Sequence, residues 1–270
     1  MDNRPIGFFD SGVGGVTTIP HIMRMLPNES IIFFGDTART PYGSKSAKTI
    51  RQFTLQIGEF LRNNDVKMIV IACNTVSSTA LDLLRETYPD IPIVGCITPT
   101  AKEVVKICDK DSRIGIMATK ATVTSGVYEE KIKSLNEELF TESIACPALV
   151  PLIEEGIIDN EIMDLTLKYY LDDFLKENDI NTLILGCTHY PLISKNLKRL
   201  YPNIKIFSSS KEVATAVKME LEAADMLSQN ENAKSIFYAS DLSENFVNMI
   251  ERILGRDSDE LNIKFKNLDI

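Results

Sequence analysis

Two stretches of the chain repeat one pattern: MIVIACNT at residues 68–75 and TLILGCTH at residues 182–189. Each places an apolar run before a small residue, a cysteine and small polar residues. An uninterrupted apolar run of this length is typical of a strand buried on both faces of a parallel sheet. Ligands bind at the carboxyl edge of such sheets. The repeat therefore predicts two strands, each with a thiol at its tip, that face one small molecule from opposite sides.

Strand-like and helix-like patterns alternate along nearly the whole chain, which predicts an α/β fold with mostly parallel sheets. Strands are predicted at residues 5–10, 30–35, 67–72, 91–95, 113–117, 141–145, 182–185, 204–207, 235–238 and 261–265. Each half of the chain contains one cysteine strand. We therefore predict two similar domains, each a sheet flanked by helices, with the active site in the cleft between them. The first domain would comprise residues 1–98 and 208–270, and the second residues 99–207.

Two helices stand out from their apolar spacing. The clearer one spans residues 46–63, with apolar side chains at Ile50, Phe53, Ile57, Phe60 and Leu61. The other spans residues 160–178, with Ile162, Leu165, Tyr169 and Phe174 on or near one apolar stripe.

Composition excludes several classes of protein. The 270 residues carry a net charge of −9 and no lysine or arginine cluster, which argues against nucleic acid or an anionic membrane surface as a partner. No apolar stretch approaches the roughly 18 residues of a membrane-spanning helix, and residues 1–5 lack a signal-peptide pattern, so a cytoplasmic protein is expected. The five cysteines include no Cys-x-x-Cys pair, which favours free thiols over disulfides. With two histidines and no second ligand cluster, no metal is predicted.

Two polar loops follow the first two predicted strands. The sequence DSGVGGVTT at residues 10–18 does not match the glycine spacing of dinucleotide-binding loops, because Thr17 stands where a third glycine is required. Its leading acidic residue, Asp10, suits proton handling better than phosphate binding. The sequence GDTARTPYGS at residues 35–44 is interpreted as a wall of hydroxyls and amides around a small polar ligand. The alternative is a turn followed by a serine helix cap.

The five thiols fall into two groups. Cys96, Cys108 and Cys146 have the surroundings of inert small hydrophobic residues. Cys73 and Cys187 instead stand at the predicted ligand edge. A free thiol with a pKa of about 8.5 is only a few per cent thiolate at neutral pH, so each needs a neighbouring group that adjusts its charge. Candidates are Asp10 for Cys73 and His189 for Cys187, with either Glu154 or Glu155 orienting the histidine.

Five motifs in order along the chain together resemble those of glutamate racemases. They are DSGVGG (10–15), GDT (35–37), PYGS (41–44), ACNT (72–75) and GCTHYPL (186–192), and the match runs from residue 5 to about residue 225. The resemblance implies a cofactor-independent racemase that interconverts L- and D-glutamate and supplies D-glutamate for peptidoglycan. Two cysteines on opposite faces of the substrate α-carbon would act, one removing the proton as thiolate and the other delivering one as thiol. None of the five motifs contains a lysine, which agrees with direct proton transfer rather than a pyridoxal Schiff base.

The resemblance also implies a role for individual residues. Cys73 would act on D-glutamate with help from Asp10, and Cys187 on L-glutamate with help from His189, which Glu155 would support. Substrate contacts would come from Asp10, Ser11, Pro41, Tyr42, Gly43, Ser44, Asn74, Thr75, Thr119, Thr122, Thr188 and His189. A homodimer is compatible with the resemblance. One departure is the run of serines at 208–210, where related sequences often have an aspartate.

Other readings compete with this one. An aspartate racemase or a one-thiol decarboxylase would belong to the same superfamily, although a decarboxylase needs only one of the two cysteines. A binding protein of the periplasmic-receptor type shares the two-domain layout but has no use for paired thiols.

Overall fold

The computed structural model describes residues 1–268, which form ten strands. These are β1 (Ile6–Asp10), β2 (Ile31–Gly35), β3 (Met68–Ile71), β4 (Ile93–Gly95), β5 (Arg113–Ala118), β6 (Phe140–Ala145), β7 (Thr182–Gly186), β8 (Lys205–Ser208), β9 (Ser235–Ala239) and β10 (Asn262–Phe265). Each strand predicted from the sequence is present, with bounds that differ by at most two residues. The apolar runs of β1, β2, β3 and β7 are buried along their whole length, as expected of central parallel strands.

The strands form two sheets in which all neighbours pair in parallel. The six-stranded sheet has the order β10-β9-β2-β1-β3-β4, and the four-stranded sheet has the order β6-β5-β7-β8. The prediction of an α/β fold with two parallel sheets flanked by helices is confirmed. The two strands that follow residue 208 lie in the first sheet, where β9 pairs with β2. The exact domain boundaries near residues 98 and 207 stay a prediction.

Twelve α-helices connect the strands within residues 1–268. They are α1 (Ile19–Met25), α2 (Ala47–Asn63), α3 (Asn74–Thr79), α4 (Leu81–Thr87), α5 (Ile97–Ile107), α6 (Lys120–Ser125), α7 (Val127–Leu135), α8 (Leu149–Glu154), α9 (Glu161–Glu177), α10 (Ser194–Leu200), α11 (Ser209–Ala223) and α12 (Glu244–Leu254). Short 3-10 helices occupy Gly14–Thr18, Thr37–Arg39, Tyr42–Ser44, Tyr190–Ile193 and Ser258–Glu260. In this part of the chain, no helix combines the length and apolar character that crossing a membrane requires.

Helix α2 follows its sequence prediction. It begins after Ser46, whose hydroxyl accepts a hydrogen bond from the Thr49 amide and so caps the helix. Ile50, Ile57 and Leu61 are fully buried on its inner face.

Helix α9 agrees with its predicted bounds to within one residue at each end, but most of the predicted apolar stripe does not face the core. Ile162, Leu165 and Tyr169 are 54%, 58% and 83% exposed. The buried face is a continuous row at four-residue spacing, formed by Met163, Leu167, Leu171 and Leu175. Because α9 has apolar residues on two faces, spacing alone did not decide which face packs on the sheet.

Strand register sets the position of the loops. In the six-stranded sheet Asp10 of β1 lies opposite Gly35 of β2, and Phe9 lies opposite Ile71 of β3. The 10–18 loop, the 35–44 loop and Cys73 therefore leave the sheet at one edge. In the four-stranded sheet Ala118 of β5 lies opposite Gly186 of β7, so residues 119 and 187 also leave at one edge.

Candidate active site

Cys73 is buried beside the 10–18 loop. Cys73 is 4% exposed, and its thiol donates a hydrogen bond to the Ser11 hydroxyl, with 3.5 Å between sulfur and oxygen. Burial, with the negative charge of Asp10 as the next largest cause, raises the pKa of the Cys73 thiol well above its usual range. Cys73 is therefore held in the protonated form, the form that delivers a proton.

Asp10 joins the two sheets. Its carboxylate accepts hydrogen bonds from the backbone amides of Gly12 and Gly15, at 3.3 and 3.0 Å. It also accepts one from the Thr188 hydroxyl, at 3.2 Å, which comes from the loop after β7 in the other sheet. These donors satisfy its oxygens and fix the buried carboxylate near Cys73.

Cys187 contacts a histidine, and the same histidine ring contacts a carboxylate through its other nitrogen. Its sulfur lies 3.8 Å from Nδ1 of His189, and Nε2 of the same ring lies 3.0 Å from Oε1 of Glu154. The imidazole packs against the 10–18 loop, where a Cβ at Gly14 would come within 2.6 Å of Nδ1. Only glycine fits at position 14, so the loop that follows the first sheet packs directly against the histidine of the second.

The charge of His189 follows from these contacts. Burial acts to lower its pKa, but the hydrogen bonds to Cys187 and Glu154 together with the charge interactions with these two groups outweigh burial, and the pKa is raised well above the usual value. A protonated imidazole donates from both nitrogens, which is the form that satisfies both bonds. The site therefore pairs Cys187 with an imidazolium and Cys73 with an aspartate, so the two thiols have neighbours of opposite charge.

This histidine gives the protein a pH-dependent stability with a definite sign. Because the folded-state pKa of His189 is raised, its contribution is fully present below the unfolded value of about 6.5. The contribution is lost as the pH rises through the folded-state pKa. Urea unfolding of the wild type and of His189→Asn between pH 5 and 10 should show a difference in unfolding free energy that shrinks as the pH rises. A difference that grows with pH would contradict the imidazolium assignment.

The glutamate that contacts His189 differs from the one that the resemblance implies. Glu154, rather than Glu155, bonds to His189, and its Oε1 also accepts a hydrogen bond from Thr40 at 3.4 Å. Glu154 is the last residue of α8 and is partly buried, whereas Glu155 lies past the helix end and is exposed. The sequence alone did not decide which of these two neighbouring carboxylates reaches the histidine.

Three threonine hydroxyls from the two sheets meet near Cys73. Thr75 Oγ1 lies 2.9 Å from Thr119 Oγ1 and 3.5 Å from Thr122 Oγ1, and the latter two are 3.1 Å apart. Gly43 packs on the same group, since a Cβ there would come within 2.6 Å of the Thr119 Cβ. All three threonines were predicted contacts for the substrate, and the fold brings them together. Each hydroxyl has one proton, which it can donate to an anionic group in place of a neighbouring threonine.

The other predicted contacts of the 35–44 loop are placed differently. The Tyr42 ring is fully buried, and its hydroxyl donates to the Asp36 carboxylate. Arg39 and Ser240 bond to the same carboxylate, Arg39 at 2.7 Å and Ser240 at 2.8 Å. This network holds the loop in place. Because the Tyr42 hydroxyl donates its proton to Asp36, it has no proton left to donate to a ligand. Pro41 is half-buried, and Ser44 is exposed beside a separate groove.

Cys96 and Cys146 are buried, and burial raises the pKa of Cys96 to about 12 and that of Cys146 above its usual range. Cys108 lies at the end of α5, partly exposed. That these three thiols are inert stays a prediction.

Residues 17–217 match the sequence model of a family described as Asp/Glu/Hydantoin racemase. The chain belongs to this racemase family. A curated relative, the glutamate racemase of Sulfurihydrogenibium sp. (strain YO3AOP1), is 48% identical over 215 residues, which cover 79% of this chain and 82% of the relative. The glutamate racemase of Geobacter metallireducens is 40% identical over 257 residues, 94% of each chain.

Solved structures agree with the family assignment. A crystal structure of glutamate racemase from Francisella tularensis subsp. tularensis SCHU S4 in complex with D-glutamate matches with a TM-score of 0.92 at 36% identity, covering 100% of this chain and 99% of that chain. The prediction of an amino-acid racemase of this family is confirmed.

Proposed function

We propose that this protein interconverts L- and D-glutamate by moving protons between the substrate α-carbon and the thiols of Cys73 and Cys187, without a cofactor. The observation that carries the proposal is the pairing of each thiol with its own charged residue. The two pairs come from different sheets, and the Thr188–Asp10 hydrogen bond links them. Glutamate is favoured as the substrate because the relatives at 40–48% identity are glutamate racemases.

The charges favour a direction for each proton. An imidazolium next to a sulfur attracts negative charge there, so Cys187 is the thiol that acts first on L-glutamate as thiolate. Cys73, held as a thiol, then delivers its proton to the opposite face and becomes the thiolate. The D isomer is released with Cys187 protonated and Cys73 deprotonated. The reverse reaction starts from that state and runs the same two transfers backwards.

Thiol basicity alone cannot remove so weakly acidic a proton. Holding substrate and thiols in place contributes about 7–11 kcal/mol in favourable cases. Hydrogen bonds to the charge that develops on the substrate carboxylate add about 3–4 kcal/mol for each well-placed donor. The hydroxyls of Thr75, Thr119 and Thr122 are the candidate donors.

The cellular role follows from the same resemblance. We propose that the protein acts in the cytoplasm and supplies D-glutamate for peptidoglycan, and that it forms a homodimer.

Steady-state assays with L- and D-glutamate and with L- and D-aspartate test the substrate. We expect turnover of both glutamate isomers, with a kcat/KM at least about 100-fold above that for aspartate, as expected of a site whose polar groups must match the substrate. Turnover of aspartate without glutamate would instead support the aspartate racemase alternative.

A further inference from the structure

In Asn74, the residue after Cys73, the oxygen of the side-chain amide has a hydrogen-bond partner among residues 1–268, but the nitrogen has none. The residue is 1% exposed, and its Nδ2 is buried with no hydrogen-bond partner among residues 1–268. An unpaired buried donor is costly, and each one in a native protein calls for a specific reason, such as a role in binding or catalysis. The nitrogen is therefore available to a substrate oxygen beside the thiol.

The other half of the Asn74 side chain is fixed by Tyr128. The Tyr128 hydroxyl donates to Asn74 Oδ1 at 2.6 Å, and Tyr128 is 1% exposed. Burial raises the pKa of Tyr128, so the hydroxyl keeps the proton that it donates. Thr100, the other polar neighbour of this hydroxyl, donates its own proton to the Cys96 carbonyl at 2.8 Å. The amide oxygen is thus held toward Tyr128, and the nitrogen is turned away from it.

The contact also crosses between the two halves of the molecule. Asn74 begins α3, which follows β3 of the six-stranded sheet. Tyr128 lies in α7, which follows β5 of the four-stranded sheet. One sheet therefore sets the rotation of a donor that stands next to the catalytic thiol of the other.

We propose that Tyr128 is a positioning residue for racemisation: it fixes the Asn74 amide so that Nδ2 donates to a carboxylate oxygen of the bound amino acid. This inference rests on the proposed function. Without the Tyr128 hydroxyl the amide turns freely, and its oxygen, which repels a carboxylate, competes for the same place. Since the carboxylate gains negative charge as the α-proton leaves, the fixed donor matters most in the transition state.

Tyr128→Phe tests the proposal because it removes one hydroxyl and keeps the ring. We expect kcat to fall about ten-fold in both directions, the worth of one hydrogen bond, while KM changes less than two- to three-fold. The matched control is Tyr201→Phe, which removes a tyrosine hydroxyl that donates to Asp172 at 2.7 Å, away from Asn74. The control should keep wild-type rates. Thermal unfolding of both variants measures any loss of stability separately.

A double-mutant cycle with Asn74→Ala separates positioning from a structural role. If Tyr128 acts through Asn74, Tyr128→Phe costs less than about two-fold in the Asn74→Ala background. An undiminished ten-fold cost there, or wild-type kcat in the single variant Tyr128→Phe, would overturn the proposal. Wild-type protein that racemises glutamate in the same assays upholds the proposed function in either case, so the two failures are distinguishable.

Discussion

Replacing either Cys73 or Cys187 with alanine is expected to reduce racemisation by about 10³-fold or more in both directions. Each thiol handles one face of the α-carbon, and a complete turnover in either direction uses both faces. The partner groups stay in place in each variant, but neither Asp10 nor His189 lies where the missing sulfur exchanged its proton. The measurement is the rate of L- and D-glutamate conversion, followed by chromatography that resolves the enantiomers.

The matched control is Cys108→Ala, since Cys108 lies at the end of α5, outside the site. It should keep wild-type rates in both directions. Circular dichroism and thermal unfolding of all three variants should show intact folds, with losses of about 1 kcal/mol. Near-normal rates for Cys73→Ala or Cys187→Ala would disprove the two-thiol assignment.

The second large effect is expected at the end of α8, where alanine substitutions of two adjacent glutamates should differ strongly in activity. Glu154→Ala is expected to lower kcat by about 100-fold, because His189 then loses the carboxylate that orients it and keeps it protonated. Glu155→Ala removes an exposed side chain of the same size and charge, and its rates should stay within about two-fold of wild type, as for other surface changes.

The pH dependence separates an effect on His189 from a general loss of structure. In Glu154→Ala the pKa of His189 should move down, so the pH profile of kcat/KM should shift to lower pH. A larger loss in Glu155→Ala than in Glu154→Ala would contradict the role expected of Glu154 and support the assignment of Glu155 that the resemblance implies.

Much of the fold could be read from local sequence because the central strands have a local signal. A strand buried on both faces is an apolar run, and the runs around residues 68–71 and 182–185 each follow a polar residue and lead into a small residue and a cysteine. Parallel pairing then places the residues after such strands at one edge, so the thiols could be predicted to lie near the ligand.

What the sequence did not settle depends on contacts between distant segments. The buried face of α9 depended on which of two apolar rows meets the sheet. The choice between Glu154 and Glu155 depended on which carboxylate reaches His189. The bond between Tyr128 and Asn74 joins residues 54 apart in sequence, and neither position carries a local signal for it.

The central claim is that two different groups serve the two faces of one α-carbon. Racemisation of L-glutamate in D₂O, stopped at less than about a tenth of conversion, tests it most directly. In the two-thiol account the proton removed by Cys187 exchanges with solvent, and Cys73 delivers deuterium. Mass spectrometry of the separated enantiomers should then find deuterium in nearly all of the D-glutamate and almost none in the recovered L-glutamate. Equal early labelling of both enantiomers would show that one group serves both faces, and would contradict the account.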